Sequence, residues 1–348
     1  MRRLRSDRAR VLTGRALSCP VARSVARSVA RAASLAVTLS ALAATGAAAQ
    51  GGLRREGALE LLLPIGAHTV GAGRAGVSEE PGSEGLWWNP SSVARATSRE
   101  IGLHHTQTFI NTGDALTLLV PLRKLGVVGA SVVLVNYGQQ DETDANGTTG
   151  SFGTRALTYV ASYASALGDR ASFGVNYKVY QLRADCTGGC AGFPPQTAST
   201  SALDFGTQLR LDRAHRWQLG VALRNVGFAL QVRDQPQADP LPTRLEIGLG
   251  GEPVIAGLPR EARVRVSASV IDHPSFSAPG YRVGSTVSWQ DRARLSVGYA
   301  LDAPYGSGAS LGLGFSTGKL AFDIGRLFSS DAARPGQEPT FFSLRYLF

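Results

Sequence analysis

After residue 100 the chain alternates between apolar and polar positions with a period of two residues, which is typical of strands that bury one face. The clearest run is 292–302, in which Leu295, Val297 and Tyr299 share one face and polar or small residues occupy the other. Similar runs occur at 100–109, 115–122, 127–139, 154–167, 170–184, 200–212, 216–231, 243–252, 262–272, 281–290, 307–317, 319–328 and 340–348. The pattern therefore predicts an all-β protein of about 14 strands.

The spacing of the turns favours a transmembrane barrel. Short turns at 167–170, 290–292 and 317–319 alternate with longer loops, which are predicted at 141–150, 186–199, 231–242 and 329–339. This is the rhythm of barrels in the bacterial outer membrane. A soluble β-sandwich would also alternate, but with its apolar face inward. The polar face carries charges that suit a wet or ion-paired lumen, namely Lys178, Arg210, Arg244, Arg263, Arg265, Arg282, Arg294, Asp204, Glu246 and Asp323. We therefore predict a transmembrane antiparallel β-barrel in which these charges face inward.

The first 49 residues are typical of an export signal. Nine arginines precede an apolar run at 32–44, and the small residues Ala47, Ala48 and Ala49 follow. This order predicts a secretory signal peptide over residues 1–49, cleaved after Ala49. A mitochondrial transit peptide is the competing interpretation, because such leaders are also rich in arginine and poor in acids.

The net charge of +10 belongs mostly to this leader. Nine of the 36 basic residues and one of the 26 acidic residues lie within it, so the remainder carries 27 basic and 25 acidic groups. A nucleic-acid partner is therefore not expected, because such binding needs a clustered basic face.

No pattern in the sequence identifies an enzyme, a cofactor site or a metal site, and we predict none. The stretch 142–147 has oxygen-bearing side chains at alternating positions, but it lacks the terminal glutamate of a calcium loop and is interpreted as a hairpin loop. His104 and His105 are adjacent on a predicted strand, so they point to opposite faces and cannot form a simple ligand pair.

Two cysteines, Cys186 and Cys190, follow the signal peptide within a short C-T-G-G-C stretch. An exported chain meets an oxidising compartment, which favours a disulfide that closes a small loop. Two free thiols are the alternative.

The last strand resembles a known assembly signal. Phe342, Leu344, Tyr346 and Phe348 share one face, and the chain ends on an aromatic residue. This is similar to the C-terminal strand by which bacterial outer-membrane barrels are handed to their assembly machinery. The resemblance implies the barrel-assembly machinery and outer-membrane lipid as partners.

The segment before the strands resembles the N-terminal hatch of the FadL-like barrels and of the PorV/PorQ family. The resemblance rests on Gly71, Gly73 and Gly76, followed by Asn89 and Pro90; Ser91 and Ser92 replace the usual Ala-Gly. The stretch L-G-V-A-L-R-N-V-G at 219–227 is similar to a mid-barrel strand of PorV-like proteins. The resemblance implies a hatch over residues 50–98 that occludes a barrel formed by residues 99–348.

The two branches of this family imply different functions. PorV types receive exported proteins as part of type IX secretion, whereas FadL types transport small hydrophobic molecules passively. A conduit for such molecules should offer an apolar lining, but the expected inner face is charged. The charge favours a structural or cargo-docking role in secretion, with secretion machinery and exported proteins as partners. The alternative is a FadL-like transporter, whose apolar pocket the hatch or a long loop would have to supply.

Overall fold

The computed structural model describes residues 56–348 except 146, 190–194, 233–237, 277, 303–306 and 330–337. Fourteen long strands form a closed antiparallel barrel, as the sequence predicts. They are β1 (Glu100–Gln107), β2 (Thr112–Leu122), β3 (Gly126–Asp144), β4 (Gly147–Leu167), β5 (Ala171–Gly188), β6 (Gln196–Arg210), β7 (Trp217–Gly227), β10 (Arg244–Gly251), β11 (Ala262–Asp272), β12 (Gly280–Trp289), β13 (Ala293–Leu301), β14 (Gly308–Thr317), β15 (Leu320–Ser329) and β16 (Thr340–Leu347).

Each long strand pairs with its neighbour along the chain, and β1 pairs with β16 to close the cylinder. Two short strands interrupt this order, β8 (Leu230–Val232) and β9 (Ala238–Asp239), within a region predicted as one long loop. They form a hairpin, in which β8 pairs with Ala198 and Ser199 near the start of β6. This part of β6 lies beyond the end of β7. Closure removes the free edges that an open sheet would expose.

The two faces of the wall differ in chemistry. Apolar side chains such as Leu116, Phe173 and Leu313 point outward and are 50%, 42% and 53% exposed. On the inner face, charged side chains such as Lys178 and Glu246 are buried. This is the arrangement of a transmembrane barrel rather than a sandwich, because a sandwich would bury the aliphatic face.

The barrel has two rims, which we name by their position. The lower rim is the end at which β1 begins and β16 ends, and it carries the turns 123–125, 168–170, 211–216, 252–261, 290–292 and 318–319. The upper rim is the opposite end. In outer-membrane barrels the short turns lie on the periplasmic side, so the lower rim is assigned there.

One side of the wall rises well above the other. Strands β3, β4 and β5 contain 19, 21 and 18 residues, whereas about 9–11 residues suffice to span the membrane. The prediction of a loop at 141–150 was wrong. β3 and β4 remain paired as far as Asp144 and Gly147. Cys186 likewise lies on β5 rather than in a loop.

The N-terminal segment, residues 56–99, packs against inward-facing residues of the wall, and we call it the hatch. It contains two single-turn helices, Ala67–Gly71 and Gly85–Trp88, and three 3-10 turns, Leu59–Leu62, Gly82–Glu84 and Pro90–Val93. Among the described residues, no helix has the length and apolar character needed to cross a membrane.

Candidate functional site: the hatch and its cavities

The hatch rests on a ring of glycines that face inward from ten strands. A β-carbon added to any of them would lie 3.0 Å or less from a hatch atom. The ring consists of Gly102, Gly129, Gly174, Gly206, Gly220, Gly248, Gly284, Gly298, Gly312 and Gly325. Since real β-carbons do not approach other atoms so closely, the ring admits the hatch only because side chains are absent there.

The glycines predicted from the hatch pattern meet this ring or pack within the hatch. Gly71 lies against Gly312, where an added β-carbon would be 2.6 Å from a backbone Cα. Gly73 has a positive φ of 73° and would place a β-carbon 2.1 Å from the carbonyl of Val283. Gly76 lies against the ring of Trp88, so the hatch folds tightly on itself as well.

The Asn89–Pro90 pair fixes the second half of the hatch. The Asn89 amide donates to the Val77 carbonyl at 2.7 Å, and its oxygen accepts from the Ser91 backbone nitrogen at 3.1 Å. Pro90 occupies the first position of the following 3-10 turn, where a missing N–H costs nothing. Asn89 therefore caps that turn and ties it to an earlier part of the hatch.

Ion pairs line the inner face of the wall beside the hatch, along β7 to β13. Arg282 contacts Glu246 at 3.2 Å and Asp302 at 2.5 Å, and Arg224 contacts Glu246 at 3.2 Å. The hatch joins this group through Arg74, which is 3.5 Å from Asp302. The lumen is thus ion-paired, as the charge pattern predicts, and its pairs link the hatch to β7, β10 and β12.

Trp87 and Trp88 of the hatch pack against cations of the wall, which form a charged layer beneath them. The guanidinium groups of Arg224 and Arg282 stand 5.9 and 5.8 Å from the ring centre of Trp88, within cation–π range. The Trp88 indole donates to the Ile65 carbonyl at 2.9 Å, and both tryptophans are buried. The pair therefore forms an aromatic floor above the cations.

The hatch separates two cavities. The lower cavity, of about 290 Å³, is polar and lined by His68, Glu79, Glu80, Arg210, His215, Gln218 and Arg265. Burial lowers the pKa of His68, so its ring is neutral near pH 7 and pairs only weakly with nearby carboxylates. Burial raises the pKa of Glu79, while its ion pair with Arg265 opposes that shift.

The upper cavity, of about 280 Å³, is lined by ten apolar residues, by six charged residues and by Asn111 and Tyr137. The charged residues are Glu60, Arg74, Arg224, Arg244, Arg282 and Asp302. Its floor is Trp87 and Trp88, and its roof is the first part of the hatch, residues 56–65, which we call the strap. The apolar lining consists of Leu59, Leu61, Leu62, Leu63, Pro64, Ile65, Ile110 and Ile271. Leu59 and Ile110 are 50% and 53% exposed, so an apolar lip leads from the upper rim into the cavity.

Two acidic residues tether the strap to the wall. The Arg244 guanidinium donates to both carboxylate oxygens of Glu56 at 2.9 and 2.7 Å. The carboxylate of Glu60 accepts hydrogen bonds from Tyr137 at 2.9 Å and from Tyr180 at 2.7 Å. Tyr137 lies at a register shift between β3 and β4, where the strand is locally irregular.

The other residues singled out in the sequence lie away from these cavities. Phe342, Leu344, Tyr346 and Phe348 lie at the C-terminal end of the chain, the first three on β16, and Leu344, Tyr346 and Phe348 are 42–47% exposed. Cys186 is disulfide-bonded, whereas Cys190 lies outside the described residues, so their pairing stays a prediction. The predicted signal peptide at 1–49 also lies outside them. No group of three or more His, Cys, Asp or Glu side chains within the described ranges is placed to hold a metal ion.

Solved structures with a similar fold are barrels of the outer membrane. The Ralstonia pickettii toluene transporter TbuX matches with a TM-score of 0.53 and 11% identity, over 81% of this chain and 98% of that chain. The Pseudomonas putida toluene transporter TodX matches at 0.52 and 12%, over 77% and 94%. The CymD monoaromatic hydrocarbon channel matches at 0.52 and 12%, over 81% and 99%. No protein-family model and no curated protein sequence matches the chain.

These likenesses define the class of the protein at the level of fold. The chain forms a closed antiparallel β-barrel of 14 strands, the fold of these transporters and of this channel. The PorV/PorQ part of the sequence resemblance is not shown.

The apolar lining of the upper cavity was missed by the sequence analysis. Its signal was present as the run of leucines at 59 and 61–63, just before Pro64. That run was too short for a strand and lay outside the alternating pattern, so nothing in the sequence alone placed it inside the lumen.

Proposed function

We propose that the protein is a passive transporter that admits small hydrophobic molecules across the outer membrane through the upper cavity. The observation that carries this proposal is the apolar lining contributed by the strap and by Trp87 and Trp88. The inner face of the wall is charged, which argued against a hydrophobic conduit. The hatch supplies apolar surface, because leucines of the strap and the two tryptophans line the cavity together with the paired charges of the wall.

The size of the cavity supports small substrates. Binding pockets for drug-sized ligands usually measure about 300–1,000 Å³, and this cavity lies just below that range. Its exposed lip, formed by Leu59 and Ile110, gives an apolar molecule an apolar surface at the entrance. TbuX, TodX and CymD are described as toluene transporters or a monoaromatic hydrocarbon channel, which agrees with this substrate class.

The role in type IX secretion that the PorV/PorQ resemblance implies has no such support. Neither the cavities nor the similar structures point to a protein cargo. The similar structures are also transporters and channels rather than enzymes, which agrees with a non-catalytic role. We therefore place passive transport before secretion.

Uptake of radiolabelled toluene by cells that produce the protein tests the proposal. Leu62→Glu replaces apolar lining by a carboxylate and should reduce protein-dependent uptake at least tenfold, because an apolar ligand would have to displace the water that solvates the charge. Val254→Ser, at an 81% exposed position on the lower rim, is the matched control and should leave uptake unchanged. Equal uptake by cells with and without the protein would reject the proposal.

A further inference from the structure

The arginines and lysines of the described chain fall into two groups. Of these 23 residues, 14 form an ion pair with a carboxylate. The other nine have no carboxylate partner among the described residues, and all lie at the lower rim. They are Arg95, Arg99, Arg123, Lys124, Arg170, Arg213, Arg260, Arg292 and Lys319.

These nine cations are spread around the rim. Each of the six lower turns carries at least one of them, and Arg95 and Arg99 precede β1. All except Arg95 are exposed, and Arg95 donates to the carbonyl of Ala171 at 2.9 Å. Asp169 and Glu261 are the acids of the described lower turns that lack a cationic partner, so the unpaired charge there is clearly positive.

Exposed aliphatic side chains stand beside these cations. Leu125 is 66% exposed in the turn that holds Lys124, Leu167 is 65% exposed at the end of β4 before the turn that holds Arg170, and Val254 is 81% exposed in the turn that holds Arg260. An aliphatic tip near a long cationic side chain suits the boundary between hydrocarbon and head groups, since the cation can extend to the polar layer.

The upper rim shows the opposite arrangement. There Arg155 and Arg183 both contact Asp185, at 3.2 and 2.8 Å. Arg326 is paired with Glu338 at 2.5 Å. Among the described residues, the excess of unpaired positive charge is therefore confined to the lower rim.

We propose that the lower rim binds anionic phospholipid head groups of the membrane leaflet that it faces. Guanidinium and ammonium groups form charge-assisted hydrogen bonds with phosphate, and each such cation near an anionic lipid surface favours binding. An acidic protein would need a single basic patch, whereas these cations occupy every turn around the circumference. The proposal is independent of what passes through the lumen.

Lipid retention by the purified full-length protein tests this directly. The protein in neutral detergent is mixed with equal amounts of phosphatidylglycerol and phosphatidylcholine, and native mass spectrometry counts the lipids that remain bound. We expect phosphatidylglycerol to be preferred, and the preference to fall as salt is raised because salt screens exposed charges. Equal retention of the two lipids by the wild-type protein would overturn the proposal. A rim that binds an acidic protein instead of lipid would give this result too.

The triple variant R123Q/K124Q/R213Q removes three unpaired cations and should lower the preference about fivefold for each charge removed. The matched control R155Q/R183Q/R326Q removes three paired cations from the upper rim and should retain the wild-type preference. An equal loss in both variants would overturn the proposal. Heat-modifiable gel migration checks that both variants are folded, and the salt titration of the wild-type protein provides a test that needs no variant.

Discussion

The two parts of the hatch are held in different ways. From Gly66 onward its backbone lies against glycines of the wall, with approaches that leave no room for a methyl group. The strap is held by the side chains of Glu56 and Glu60, and a cavity separates it from the tryptophans below. Close packing of the backbone against the wall resists displacement, whereas a segment held over a cavity by a few hydrogen bonds can move aside for a guest.

This difference assigns different tasks to the two parts. The seated part, residues 66–99, closes the lumen and links the wall strands through the paired charges. The strap covers an apolar space that opens to the upper rim. Substitutions in the seated part should therefore reduce stability, while substitutions in the strap should mainly change access to the cavity.

The largest expected effect follows from Arg282→Met. The substitution leaves Glu246 and Asp302 buried without this partner and should cost about 3–5 kcal/mol of unfolding free energy. Arg183→Met is the control, because this arginine is 56% exposed and solvent screens its pair with Asp185. Urea unfolding in bilayers measures both, and similar losses would show that the lumen pairs do not hold the barrel together.

A single methyl group tests the glycine ring. Gly298→Ala would place a β-carbon 2.2 Å from the Gly73 nitrogen and should cost about 1–3 kcal/mol through overpacking. Gly113→Ala adds the same group where the nearest atom is 3.6 Å away, so it should be nearly neutral. Proteolysis of the hatch should be faster in Gly298→Ala but not in Gly113→Ala. Equal protection in both variants would contradict the close packing of the hatch on the glycine ring.

The Asn89 cap should make a smaller contribution. Asn89→Ala loses the bond to the Val77 carbonyl and the cap on Ser91, at a cost of about 1–2 kcal/mol. Asn136→Ala is the comparison, because Asn136 is exposed and its side chain accepts from Gly138 on the strand surface. Thermal unfolding followed by gel migration should show a lower stability for Asn89→Ala than for Asn136→Ala. An unchanged stability of Asn89→Ala would contradict a structural role for the Asn89–Pro90 pair.

The smallest effect on stability is expected in the strap. Glu60→Gln weakens the hydrogen bonds from Tyr137 and Tyr180 and should cost less than about 1 kcal/mol. It should nevertheless speed the quenching of Trp87 and Trp88 fluorescence by bromobenzene, because the strap opens more readily. Glu80→Gln at the lower cavity is the control, and equal quenching rates in both would argue against a mobile cover.

The sequence predicts the strands of the wall better than the packing of the hatch and the cavities inside the barrel. The run at 292–302 corresponds to β13 at Ala293–Leu301, because inward and outward positions alternate on every strand of a barrel. The pattern fails in the upper halves of β3 and β4, where water meets both faces and alternation is lost. There Gly150 and Gly153 suggested a loop, yet the strands continue through both positions.

The cavity could not be predicted because it depends on long-range packing. Leu62 and Ile271 line the same space although 209 positions separate them, and no local pattern records such a meeting. The hatch glycines were found through a family resemblance, but their partners, such as Gly298 and Gly312, were indistinguishable from ordinary small residues on a strand. Only the closed barrel brings the two sets of glycines together.

Anomalous diffraction from crystals soaked in bromobenzene shows whether an apolar guest enters the upper cavity. We expect a bromine peak in this cavity, between Leu62 and the ring of Trp88, and loss of that peak in Leu62→Glu. Bromine found only on the outer wall, with an empty upper cavity in crystals of the wild-type protein, would contradict this expectation.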